Sequence, residues 1–139
     1  MLIHNLLLCK MEFENLTHRI IGCAMRVHSE LGNGFQERIY QKALAYELKL
    51  SSIPFIREFP MQIYYKDLHI GSRRVDFLIE DRVSVELKAV IQLENNHLAQ
   101  AKNYLEAYNL SVGLLINFGS TSLQYKRIFN KKNKRNLKF

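Results

Sequence analysis

Between Glu14 and Leu31, apolar side chains recur at Leu16, Ile20, Cys23/Ala24, Val27 and Leu31, the spacing of a helix with one buried stripe. Gly32-Asn33-Gly34 stops it, because glycine accepts the left-handed conformation that follows helix C-termini. A second helix is expected from Phe35 to Leu50, with Ile39, Ala43, Leu44 and Leu48 inward and Glu37, Tyr40 and Glu47 to one side. Ser51-Ser52 and Pro54 break it. The period then changes to two: Met61, Ile63 and Tyr65 alternate up to a Lys66-Asp67 turn, and Leu68 and Ile70 return. Gly71 is expected to mark a bulge or bend. A third helix is expected from Leu93 to Tyr108, with Leu98, Ala101, Leu105 and Tyr108 inward. The unbroken apolar run Ser111–Phe118 reads as a strand buried on both faces, and Leu123–Phe129 as a last strand. The order is α-α-β-β-β-β-α-β-β if Gly71 separates two strand pieces, an α/β fold with helices packed on a mixed central sheet.

The stretch Val75–Val90, VDFLIEDRVSVELKAV, departs from a simple strand pattern. Two alternating apolar arms flank Glu80-Asp81-Arg82, yet Asp76, Glu86 and Lys88 stand within them. Glu86 and Lys88 share a face with Ser84, because side chains alternate along a strand. Asp76 joins them only in a register centred on residue 81. That register pairs Ile79 with Val83, Phe77 with Val85 and Val75 with Leu87 on the opposite, apolar face, so the hydrophobic pattern selects it. The two carboxylates then lie ~5 Å apart at Cβ. Such a pair repels unless one protonates or a cation intervenes. A Mg²⁺ or Mn²⁺ ion, held by one or two carboxylates and several waters, meets that requirement. Lys88 is placed to balance charge or contact a phosphate. For an arbitrary hairpin, a plain ion pair of Lys88 with Asp76 or Glu86 is the competing reading.

Outlying candidates are fewer. Glu37 lies in the first turn of its helix, where the helix dipole favours a carboxylate, and shares a face with Tyr40. Gln100 and Tyr104 form a stripe with His97 on the third helix, His97 reading as an incidental surface residue.

Charge changes the picture less than its total suggests. The 139 residues carry a net +7, but five of those charges, Lys131, Lys132, Lys134, Arg135 and Lys138, fall in the last ten residues. The first 129 therefore carry 7 − 5 = +2. Residues 131–139 are expected to be a basic flexible tail, drawn to nucleic acid by phosphate contacts or simply solvated. Arg73 and Arg74 lead into Asp76 and, with Tyr40, Lys131 and Lys132, are candidate nucleic-acid contacts. The apolar MLIHNLLLCK is shorter than the ~20 residues a membrane span needs. It lacks the features of a signal peptide. Residues 1–10 read as a non-native extension ahead of a domain covering 11–130. Cys9 and Cys23 have no metal-site spacing, which fits reduced thiols and a cytoplasmic location.

These residues resemble a known family. Gly34-Phe35-Gln36-Glu37-Arg38-Ile39-Tyr40 matches GxxExxY, Asp76 with Glu86-Leu87-Lys88 matches D…ExK, and Gln100-Ala101-Lys102-Asn103-Tyr104 matches QxxxY. Together they resemble the GxxExxY proteins of the PD-(D/E)XK nuclease superfamily, over Glu12 to Asn130, including Gly113–Gly119 and Lys126-Arg127-Ile128. The one departure is Val75, where the pattern has Pro before the Asp. The resemblance implies a restriction-endonuclease-like core. It implies that Asp76 and Glu86 ligate Mg²⁺ or Mn²⁺ with Glu37 and the Leu87 carbonyl. Lys88 would be the catalytic lysine, with Gln100 and Tyr104 lining the site. The expected function is metal-dependent phosphodiester hydrolysis, on DNA in preference to RNA. The alternative is an inactive nucleic-acid-binding or protein-interaction module on the same fold. A protein partner for targeting and a homodimer through the hairpin 61–70 stay open.

Overall fold

Two strands form the centre of the molecule, β3 (Val83–Lys88) and β4 (Val112–Asn117), paired in parallel and joined by a crossover through α3 (Asn95–Tyr108). The structure is a computed structural model describing residues 2–130. Outside this pair lie β2 (Leu68–Ile79) and β1 (Phe55–Tyr65) on one side and β5 (Gln124–Phe129) on the other, all antiparallel to their neighbours. The sheet order is β1-β2-β3-β4-β5. The two helices α1 (Leu2–Leu31) and α2 (Glu37–Leu50) cover one face of the sheet, and α3 the other. This is the mixed α/β sandwich expected from the pattern.

The larger core cluster joins Leu16, Ile20, Ile21, Ala24 and Val27 of α1 and Leu44, Ala45 and Leu48 of α2 to Phe77, Val85, Leu87, Leu114 and Ile116 of the sheet. The smaller holds Met61, Val75, Leu78, Tyr104, Leu105 and Leu110 under α3. Gly113 allows that second layer to close: a Cβ there would stand 2.8 Å from Ser84 Oγ and 2.9 Å from Leu105 Cδ2. Residues 111–118 are buried throughout, as a strand covered on both faces must be.

Several expectations shift. The helix expected from Glu14 begins at Leu2, because residues 2–13 contain no Pro or Gly to stop it, although Ile3, Leu7, Leu8 and Met11 are exposed. In α2 the buried stripe is rotated by one residue: Tyr40 is enclosed and Ile39 exposed. A phenol can take that position because its hydroxyl donates to Gly32 O at 2.6 Å, accepts from the Phe35 N–H at 3.1 Å, and its ring stacks on Phe118 at 4.6 Å. In α3 the same exchange puts Tyr104 inside and leaves Tyr108 partly exposed. Strand β1 starts at Phe55, not Met61; as an edge strand paired on one side it needs no strict alternation. Gly71 does not divide β2, but the β1–β2 register slips beside it, between Ile63↔Gly71 and Tyr64↔His69. The basic residues 131–139, including Lys131 and Lys132, lie outside the described residues.

Candidate active site

The β2–β3 hairpin has the register centred on residue 81, with Ile79↔Val83 and Phe77↔Val85, turning through Glu80 and Asp81 at φ of 50° and 58°. The pairing stops at Phe77↔Val85, one position short of Asp76. On the β1 side the register passes from Arg57↔Phe77 to Phe59↔Val75, leaving out Asp76 and Glu58, which has a left-handed φ of 55°. Asp76 thus stands where both ladders lose regularity. Beyond it β2 changes face: Phe77 belongs to the α1/α2 cluster, whereas Val75 packs under α3. The expected pairing of Val75 with Leu87 on one apolar face is therefore absent, because the strand turns at Asp76.

Side chains replace the missing ladder bonds. The Leu87 N–H, which a continued ladder would give to Val75, donates to Asp76 Oδ2 at 2.8 Å. The Asp76 main-chain N–H lies near the Glu86 carboxylate and favours its charged form. In a strand a residue's N–H and C=O point the same way. The Leu87 carbonyl is therefore directed toward this same opening. From α2, Gln41 Nε2 donates to Asp76 Oδ1 at 2.7 Å.

Glu86 is 8% exposed, and its Oε1 is buried without a hydrogen-bond partner. Burial, followed by the neighbouring Asp76 charge, pushes its carboxyl up to about 8, against the weaker pull of Lys88. Asp76 is also raised, burial outweighing its bonds from Leu87 and Gln41. Glu37, at the start of α2, is raised by desolvation, with Lys88 and His97 lowering it and Asp76 raising it, so it faces the same opening. The Tyr104 hydroxyl is buried and unpartnered too, and is raised by burial and by Glu86. Arg73 lies over the Tyr104 ring, 5.2 Å from its centroid. Lys88, half-buried, makes no ion pair within 4.0 Å among the described residues, which removes the plain ion-pair reading of the hairpin.

The candidates thus separate. Asp76, Glu86, Lys88, Tyr104 and Arg73 converge, and Gln100 sits half-buried one turn before Tyr104 on α3. Glu37 faces the same opening from α2, although among the described residues no three His, Cys, Asp or Glu side chains are gathered closely enough to hold one ion. Its place in the exposed first turn of α2 puts it at the rim, while Gln41, one turn later, reaches Asp76. Tyr40 cannot touch a polymer, being wholly enclosed by Gly32, Phe35 and Phe118. Arg74, adjacent to Arg73 on a strand, takes the opposite face and pairs with Glu58 at 3.8 Å. His97 is not incidental; its Nδ1 accepts the Glu94 N–H at 3.0 Å, capping α3, and its ring is within electrostatic reach of Glu37.

Two contributors were missed in the sequence. Gln41 stands four residues after Glu37, on the same helix face, a spacing that would have found it. Asn117, fully buried at the end of β4, clamps the segment that follows Lys88. Its Oδ1 accepts from Val90 N at 2.9 Å and Gly119 N at 3.0 Å, and its Nδ2 donates to Val90 O at 2.9 Å. Phe118 N donates to Lys88 O at 2.8 Å beside it. A Cβ on Gly119 would come within 2.4 Å of Val90 N and O, so glycine is required there.

An acid on one strand, Glu-x-Lys on the next, and helices over both faces of a mixed sheet define a restriction-endonuclease-like fold. Residues 14–128 match the family model of the PD-(D/E)XK nuclease superfamily, and the chain belongs to that superfamily. Among solved structures it is similar to the crystal structure of SSO0001, with 16% identity and a TM-score of 0.56. The match covers 73% of this chain and 55% of that one, so this chain spans about half of that protein's length. At that identity the likeness is one of fold. Comparison with curated proteins gives no match.

Proposed function

We propose that this chain is a metal-dependent nuclease of the GxxExxY group, hydrolysing phosphodiester bonds in nucleic acid, with DNA the favoured polymer. The observation that carries this reading is the buried, unpartnered Oε1 of Glu86 beside Asp76. Two carboxylates held together in a desolvated site, one lone oxygen unsatisfied, are unfavourable alone and fitted to a hard divalent cation. Asp76 and Glu86 would hold Mg²⁺ or Mn²⁺, with the Leu87 carbonyl directed to the same opening as a third oxygen. When bound, the ion supplies Lewis-acid activation of the attacking water and neutralises charge at the phosphate.

The remaining chemistry belongs to the side chains. Lys88, with no ion pair within 4.0 Å among the described residues, offers its ammonium to the attacking water or to a phosphate oxygen as charge builds there. Arg73, held against the Tyr104 ring, presents guanidinium donors toward a phosphate on the α3 side. The Tyr104 hydroxyl supplies a further donor, and Gln100 lines the same helix face. Glu37 at the rim accepts a proton or a water more readily than it ligates the ion.

The test is incubation with single- and double-stranded DNA and RNA, in Mg²⁺, Mn²⁺ or EDTA, beside Glu86→Ala and Lys88→Ala. Metal-dependent cleavage that both variants abolish is expected. Equal cleavage by wild type and variants, or binding without cleavage by any of them, would refute the nuclease reading.

A further inference from the structure

We infer that Gln41 is a positioning residue of the metal centre: its side-chain amide fixes the Asp76 carboxylate in the orientation that ligates the ion. The inference rests on the two-carboxylate reading above and extends it to a residue outside the D…ExK motif.

Asp76 lies at a break in two ladders, so regular main-chain pairing does not set its rotamer. Two bonds do. The Leu87 N–H takes Oδ2 at 2.8 Å from within the sheet, and Gln41 Nε2 takes Oδ1 at 2.7 Å from α2. A carboxylate accepts through both oxygens with about two lone pairs each. One bond per oxygen holds the group while leaving a lone pair on each for a cation. An ionised carboxylate donates nothing, so the amide must present its nitrogen and not its oxygen. Gln41 is 8% exposed, which keeps water from substituting for it. It is placed by Leu44, Ala45 and Leu48, which anchor α2 in the main core, so the bond ties Asp76 to that core. Hydrogen-bonding partners of metal ligands typically contribute 10- to 100-fold in affinity or activity.

Gln41→Met removes the N–H at similar volume, and Gln41→Asn keeps an amide too short to reach. Mn²⁺ binding to the full chain is measured by calorimetry for wild type, both variants and Asp76→Asn, with thermal melts in EDTA to select folded protein. Affinity for a DNA oligonucleotide in EDTA is measured in parallel. The expected result is Mn²⁺ affinity weakened roughly 10- to 100-fold in each folded Gln41 variant, with DNA affinity in EDTA unchanged. Wild-type Mn²⁺ affinity in either folded variant, while Asp76→Asn loses binding, overturns the role of Gln41 alone. Unaltered binding by Asp76→Asn overturns the metal centre itself.

Discussion

Glu86→Gln should stabilise the metal-free protein at alkaline pH. In the fold the Glu86 carboxyl is pushed up to about 8, above an ordinary value of 4.5. Between these values the unfolded chain has released a proton that the folded chain retains. Stability from this group is therefore greatest below the ordinary value and falls as pH rises toward about 8. Each pH unit in that window costs about 1.4 kcal/mol per proton. The whole window sets an upper bound of about 4–5 kcal/mol, and relaxation with water entry leaves roughly 2–3 kcal/mol. Glutamine keeps the shape and does not titrate. Urea unfolding in EDTA from pH 5 to 8 should show the two curves nearly together at the acid end and the variant well above wild type at pH 8. Saturating Mn²⁺ at pH 8 should raise wild type and leave the variant nearly unmoved. Parallel pH–stability curves would refute the argument, since they would mean that Glu86 ionises as freely in the fold as in the unfolded chain.

Three further outcomes follow from the geometry. Arg73→Ala should weaken DNA binding and lower the log–log salt slope by about 0.9, one phosphate contact, whereas Arg74→Ala on the other face should leave both within error; filter binding across a salt series reads this. Tyr40→Phe should cost about 1–2 kcal/mol in chemical denaturation, through loss of the bonds to Gly32 O and Phe35 N, and leave DNA affinity unaltered. Asn117→Ala strips buried partners from Val90 and Gly119 and should cost about 3 kcal/mol or more, with hydrogen exchange of those two amides accelerated.

The sequence held most of this arrangement because the site lies in an alternating hairpin. Parity ties Phe77, Ile79, Val83 and Val85 to one face, and that alone sets the register on residue 81. Where alternation fails, so did the reading. Val75 reads as one more inward residue of its arm, yet β2 turns at Asp76 and carries it to the α3 side. Helical spacing could not tell whether Ile39 or Tyr40 faces the core of α2. The choice depends on Gly32 O and Phe118, groups distant in the chain that satisfy the phenol. Glu37 and Gln41 share a face, but their different distances from Asp76 follow from where α2 docks on β3. Periodicity carries no information about docking.

The irregularities at Asp76 have a common consequence. A regular β2–β3 ladder would give the Leu87 N–H to Val75 and leave Asp76 opposite Glu86 with no main-chain hydrogen bond between them. Ending the ladder at Phe77↔Val85 turns the Leu87 N–H into a donor for Asp76 and directs the adjacent carbonyl into the opening. The left-handed Glu58 on the other side lets β2 swing, so that Arg73 meets the Tyr104 ring on α3 while Asp76 meets Gln41 on α2. Neighbouring residues of one strand thus reach different helical layers, Arg73 the α3 side and Asp76 the α2 side. A non-Gly residue at positive φ and a raised carboxyl are both unfavourable in isolation. Their coincidence at one point, with Oε1 of Glu86 left unpartnered, is the observation that supports the cation site proposed above.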